Sequence, residues 1–153
     1  MLSIEQYSDK YQPEVKSLVI AVHEEFGFPY DHTLDFDLDD LSGVYIKQGG
    51  ALYVLLEGER VVGTAAVKRI DDETAEIKRM YVLREYRGQG WGSKLLDTAL
   101  AFCKEEGFKR AVLDTNEKQT DALRLYERRG FKVYKREEHT IFMSLSLEEN
   151  VTP

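Results

Sequence analysis

The chain has 153 residues, 42% hydrophobic and 32% charged, which excludes a disordered or low-complexity polymer and suits one domain over residues 1–153 with a substantial core. A formal charge of -7 argues against a nucleic-acid surface, because phosphate binding draws on an excess of Lys and Arg, and favours neutral or cationic partners. No apolar run reaches the roughly 20 residues that span a bilayer, and "MLSIEQYSDK" lacks the basic start and apolar centre of a secretory signal. A cytoplasmic address with no membrane partner is therefore expected.

"LSIEQY" reads as a first strand. Pro13 then sits where a helix can begin, and Val15, Leu18, Val19, Val22 and Phe26 recur at helical spacing until Gly27 stops the pattern. The segment "GFPYDHTLDFDLDDLSG" mixes turn residues with acids and holds a short helix around Phe36 to Leu41. "ALYVLLEGERVVGTAAVKRI" is two strands about a tight turn near Gly58, and "DDET" turns the chain into a further strand, "AEIKRMYV". There Ile77 and Met80 are an odd number apart and cannot share one face of a regular strand, so a bulge or burial on both faces is implied.

A helix runs from the glycine stretch to about Glu106, and Gly107 ends it. "RAVLDT" is a short buried strand, "DALRLYERRG" a helix with Gly130 as its C-cap, and Ile141, Met143, Leu145 and Leu147 alternate as one sheet face. The order β-α-α-β-β-β-α-β-α-β-β describes an α/β (α+β) fold, a mixed central sheet flanked by helices. Cys103 lies on the stripe of Leu95, Leu96, Ala99, Leu100 and Phe102, so a buried structural thiol is expected. The histidines His23, His32 and His139 are far apart without ligand spacing, and no metal site is expected. "NVT" near the C-terminus matches a glycosylation pattern, incidental without a secretory signal.

The chemistry concentrates in "MYVLREYRGQGWGSKLL". A helix start leaves four N–H groups unpaired and carries about half a positive charge, and glycines let an anion approach those donors. Gly88, Gly90 and Gly92 therefore read as an anion cradle, against the alternative of a flexible turn. A P-loop needs Gly-Lys-Ser/Thr, whereas the order here is Gly92, Ser93, Lys94. A Rossmann fingerprint fits only in part, as Gly88, Gly90 and then Ser93, with Asp114 near the ribose-binding distance. The preceding strand is charged and few βα units follow, both of which count against it.

The pattern Arg87-x-x-Gly90-x-Gly92, entered from "AEIKRMYV", closely resembles the coenzyme A loop of the GNAT superfamily of N-acetyltransferases. "TNEKQTDALRLYERRGF" looks like that family's downstream segment, and the resemblance covers most of the chain. It implies acetyl-CoA as co-substrate, bound where the strands "IKRMYV" and "AVLDT" splay apart. By the resemblance, main chain at Tyr81 and Val82 would hold the pantetheine arm and the thioester carbonyl. Arg87, Gly88, Gln89, Gly90, Trp91, Gly92 and Ser93 would bind the pyrophosphate, and Asn116 would flank the cofactor. The bulge near Met80 would aim an N–H at the carbonyl.

Within the same resemblance, Tyr126 would protonate the departing thiolate and Glu76 would take the proton of a primary amine, directly or through water. A packed helix aromatic and a solvated strand carboxylate are the competing readings of these two residues. The acceptor is expected to be a small-molecule amine, attacking directly in a ternary complex. The acids Asp31, Asp35, Asp37, Asp39 and Asp40 would attract a cationic acceptor or else form a solvated face, and Phe28, Tyr30 and Phe36 would be pocket wall or core. A non-catalytic acyl-CoA-binding module stays open, and so does the oligomeric state, a homodimer included.

Overall fold

The computed structural model describes residues 1–148. Seven strands form one sheet: β1 (Leu2–Gln6), β2 (Ala51–Glu57), β3 (Arg60–Arg69), β4 (Thr74–Val82), β5 (Arg110–Asn116), β6 (Lys132–Glu137) and β7 (Thr140–Ser146). They lie in the order β1-β2-β3-β4-β5-β7-β6. Every neighbouring pair is antiparallel except β4 with β5. Three helices complete the fold: α1 (Gln12–Glu25), α2 (Trp91–Glu105) and α3 (Thr120–Arg128). The "NVT" pattern lies outside the described residues.

Side-chain periodicity explains the layering. Helix α1 opens with Pro13 in its first turn, where a missing N–H costs nothing, and buries Val15, Leu18, Val19 and Val22. This stripe packs with Leu52, Val54 and Leu56 of β2. The intervening Leu55 faces the other way and clusters with Val62, Ala65, Val82 and Leu95 of α2. Strand β3 is covered on both faces, which is why it reads as an almost unbroken apolar run. Helix α3 joins the α2 side, where Tyr126 shares a cluster with Cys103, Leu113 and Met143. Cys103 is fully buried as expected, and burial pushes its thiol up to about 12. Gly107 and Gly130 follow the ends of α2 and α3 at φ 81° and 98°.

Two departures from the expected elements matter. In place of a regular helix over Phe36 to Leu41, the chain makes a 3-10 turn at Phe36–Asp39 and a π-helical turn at Ser42–Ile46. Asp side chains there bind their surroundings instead of letting the backbone ladder run: Asp40 Oδ1 accepts the Gly43 N–H at 3.1 Å, while Asp35 and Asp37 reach across to Arg79. In the final strand Ile141 and Met143 are buried, but Leu147 falls just beyond β7, its N–H bonded to Lys109 O at 2.8 Å. Strand β6 is exposed along its whole length, an edge blunted by Lys132, Lys135, Arg136 and Glu137.

Candidate active site

The bulge implied by Ile77 and Met80 is present. Thr64 pairs with Tyr81 but Ala66 pairs with Lys78, so β4 carries one residue more than β3 across this interval. The extra residue is accommodated at Arg79, which has φ 50°, the left-handed region that a residue with a Cβ seldom enters. Beyond the bulge the ladder resumes, and Leu83 N–H reaches Val62 O at 2.9 Å. Amides alternate in direction along an extended strand, so those of Tyr81 and Leu83 face β3 while those of Met80 and Val82 face away from it.

What they face is a gap. Strand β5 runs parallel to β4 for only three pairs, Thr74 with Arg110, Ala75 with Ala111 and Glu76 with Val112. Past them the strands separate, because β4 bends at its bulge while β5 stays paired with β7 along its whole length. The resulting cleft is lined by Lys78, Met80 and Tyr81 from one side and by Asp114, Thr115 and Tyr126 from the other.

The N-terminus of α2 follows directly from β4. Its N-cap is Gly90 at φ 86°, no side chain caps it, and Lys94 N–H to Gly90 O at 3.1 Å is its first hydrogen bond. The amides ahead of Lys94 are thus the unpaired donors of a helix start. Gly88 and Gly90 both have positive φ, and a Cβ at either would meet nothing within 4 Å, so the glycines serve backbone conformation and leave the approach open. Gly92 differs: a Cβ there would meet Leu125 Cδ2 of α3 at 3.4 Å, an ordinary van der Waals contact.

The other expected residues take distinct positions. Arg87 turns its guanidinium to Val82 O at 2.7 Å and to both oxygens of Glu25 at 2.6 and 2.9 Å, so its side chain is engaged within the protein. Gln89 Nε2 donates to Glu85 O at 3.4 Å, and Lys94 lies over the Trp91 ring at 4.3 Å. Ser93 is half-buried in the first turn of α2. Asn116 Oδ1 accepts the Lys118 N–H at 2.9 Å, and its carbonyl accepts Gln119 N–H at 2.9 Å, which shapes the entry to α3. Its side-chain oxygen is a turn-former.

Tyr126 is 5% exposed, its ring set edge-on to Phe131 at 5.9 Å, and its residue lines the cleft. Burial, with Tyr81 and Asp114 nearby, raises its pKa, so the phenol stays neutral and able to donate. Glu76 is half-buried at the point where β4 and β5 part. Its pKa is raised, chiefly by burial and further by Asp114, against the opposing pull of Lys78. Among the described residues it has no ion-pair partner. Burial thus favours the protonated form of both groups.

Two arrangements were not visible in the sequence. His23 on α1 shares a hydrogen bond of 3.0 Å with the Tyr81 hydroxyl, and burial followed by the nearby Arg79 charge lowers its pKa. The other is the use made of the acidic run. Arg79 donates from Nε to Asp37 at 2.9 Å and from Nη2 to Asp37 at 2.6 Å and Asp35 at 3.1 Å. Tyr45 O–H adds a 2.5 Å bond to Asp37. Burial would raise the Asp37 carboxyl, but these donors outweigh it and its pKa is lowered. Asp39 pairs with Lys16, Asp31 binds Thr33 in its own turn, and Asp40 holds Gly43. The run is divided: Asp35 and Asp37 are buried and committed to one buried arginine, while Asp39 and Asp40 are exposed. The available clue was Arg79 itself, a cation between the apolar Ile77 and Met80. Of the proposed pocket aromatics, Phe36 is 58% exposed, while Phe28 stacks on Phe26 with centroids 6.1 Å apart.

The model of the Acetyltransferase (GNAT) family matches residues 15–131. The chain is 35% identical over 108 residues to human N-acetyltransferase 8B, covering 67% of this chain and 48% of that protein. It is 34% identical over 126 residues to the uncharacterized N-acetyltransferase YjgM of Escherichia coli, covering 78% and 75%. It thus spans about half the length of the human relative. A GNAT-family acetyltransferase structure from Staphylococcus aureus superposes with a TM-score of 0.90 at 25% identity, over 97% of this chain and 100% of the other.

Proposed function

Because this chain belongs to the GNAT acetyltransferase family, whose co-substrate is acetyl-CoA, we propose that it transfers an acetyl group from acetyl-CoA to the primary amine of a small molecule. Attack is direct, within a ternary complex, since the one thiol of the chain, Cys103, is buried and protonated. The observation that carries the reading is the succession of two features along the chain: β4, which leaves β5 at the cleft, leads through residues 83–90 into the uncapped N-terminus of α2. An anion seated on that helix start sets an attached thioester against the amides of Met80 and Val82. No helix among the described residues is long and apolar enough to cross a membrane, and the proposal sets the reaction in the cytoplasm.

The open, left-handed Gly88 and Gly90 fit a pyrophosphate approaching the amides of Gly88 to Ser93. In this proposal the loop works through main chain, with the Arg87 side chain bracing it from behind through Glu25. Acetyl-CoA supplies the activated acyl group. Met80 N–H stabilises the negative charge that develops on the carbonyl oxygen. Glu76, held above its usual protonation range, accepts the ammonium proton, and Tyr126 O–H protonates the departing sulfur. Burial keeps the Tyr126 phenol protonated, so its O–H stays available until the thiolate forms beside it.

The test is release of free thiol from acetyl-CoA with a panel of primary amines, alongside calorimetric binding of CoA. Amine-dependent release is expected, and Tyr126→Phe should lower kcat about 10²-fold with CoA affinity retained. Unchanged turnover in that variant removes Tyr126 from the mechanism. A folded protein that binds CoA but releases thiol with no amine is an acyl-CoA-binding module instead. No CoA uptake at millimolar concentration overturns both readings.

A further inference from the structure

We propose that Arg79 is a positioning residue, gripped by Asp35 and Asp37 so that the folded 31–46 segment holds the β4 bulge open and aims the Met80 amide into the cleft. The inference rests on the acetyl-transfer reading above and names the device that couples the segment before β2 to the reacting carbonyl.

Three observations converge on Arg79. Its backbone is left-handed at φ 50°, a conformation that is strained for a residue with a Cβ and persists only where the surroundings hold it. Its side chain is 7% exposed and meets carboxylates 6% and 8% exposed, so the charges have exchanged water for one another. The contact is a two-pronged fork on Asp37, a geometry that lysine cannot reproduce.

The far end of the fork is equally fixed. Asp37 is bonded by Tyr45, itself 0% exposed, and is followed by Leu38 and Leu41, both buried in the cluster that holds the α1 stripe. Gln12 of α1 fastens the same segment by donating to Leu38 O and accepting Leu41 N–H at 3.1 Å. The segment is therefore tied down as a strut, and its ion-paired contact with β4 falls on the residue whose dihedral makes the bulge.

Register turns this contact into a consequence for chemistry. With the bulge, Tyr81 pairs with Thr64 and Met80 N–H faces the cleft. Were Arg79 to relax to an extended conformation, a one-residue slip would turn Met80 N–H toward β3 and remove the donor from the cleft. The strut and the donor thus rise or fall together.

The experiment uses the full chain with acetyl-CoA and no amine, so that water is the only acceptor and pocket shape for an amine is irrelevant. Arg79→Lys and Asp37→Asn are compared with wild type for acetyl-CoA hydrolysis, CoA affinity and the ¹⁵N shift of the Met80 amide with acetyl-CoA against CoA. Hydrolysis should fall at least about tenfold, as for a displaced oxyanion donor, with CoA affinity within about twofold. The Met80 shift that separates acetyl-CoA from CoA in wild type should be lost. If the lysine variant does not fold, Asp35→Asn, which weakens the strut's hold on Arg79 and leaves the Asp37 fork in place, is measured instead, and a smaller loss of the same kind is expected. Variants that hydrolyse at the wild-type rate and keep the Met80 shift overturn the positioning role alone. Wild-type protein that shows no acetyl-CoA-dependent Met80 shift and no hydrolysis overturns the transfer reading with it.

Discussion

Two arginine–carboxylate forks bracket the working end of β4, and they differ in depth. Arg79 grips Asp37 and Asp35 with every partner under a tenth exposed, whereas Arg87 grips Glu25 with side chains 29% and 20% exposed. Each ties α1 or the segment after it to the cleft, the first at the bulge and the second at the glycine loop. The difference lies in what replaces a lost partner. Water can reach Glu25 or Arg87, but an orphaned Arg79 would remain a charge in a medium that solvates it poorly. The deep fork can therefore fix geometry, while the shallow one can only bias it.

The largest expected effect follows from that contrast. Asp37→Ala should lower the unfolding free energy by about 3–5 kcal/mol in urea titration, because it strands the guanidinium and leaves Tyr45 O–H without its acceptor. A loss no greater than that of a surface pair would erase the distinction between the forks. Next comes Gly90→Ala, expected to cost about 1–2 kcal/mol and to weaken CoA binding in calorimetry. A Cβ there meets no neighbour within 4 Å, so the cost is conformational, and Gly90→Asn should recover part of it.

Glu25→Gln should cost at most about 1 kcal/mol, and the difference from wild type should shrink between about 0.05 and 1 M salt. The Asp37→Ala difference should be nearly salt-independent, and an equal salt response in both would break the comparison. The smallest effects are in pH. Asp37 has a lowered folded pKa, so its contribution is present above the unfolded value near 3.9 and disappears as pH falls through the folded value. Shallower and at higher pH, His23 also has a lowered folded pKa, but as a base that stays neutral. The unfolded chain takes up its proton first, so stability should decline as pH drops below about 6.5, and His23→Gln should flatten that slope in thermal melts.

These forks also mark how far the sequence could be read. Helices α1 and α2 were legible because their stripes, Val15 to Val22 and Leu95 to Cys103, follow a period set by local geometry and are buried as that period requires. The bulge was legible for the same reason, since an odd spacing of Ile77 and Met80 violates a local rule and the backbone must absorb it. The expectation that failed locally was the helix over Phe36 to Leu41. Propensity there was overruled by side chains whose partner, Arg79, lies 42 and 44 residues away.

The candidate site divides along the same line. The glycines ahead of α2, and the resemblance they carry, could be recognised from consecutive residues, because an uncapped helix start is a property of a few neighbouring amides. The engagement of Arg87 with Glu25, 62 residues distant, could not, nor could the pairing of His23 with Tyr81 across 58.

What the sequence alone determined is therefore the set of elements, their order and the location of the anion-accepting turn, all consequences of periodicity and of glycine's freedom over short spans. What only the tertiary structure decided is which charges meet. Ion pairing depends on separations through space and on exclusion of water, and folding sets both by bringing distant stretches of chain together. Five acids in ten residues could all have been an open, solvated surface, and the packing of Leu38, Leu41 and Tyr45 beside them drew Asp35 and Asp37 out of it into a buried strut.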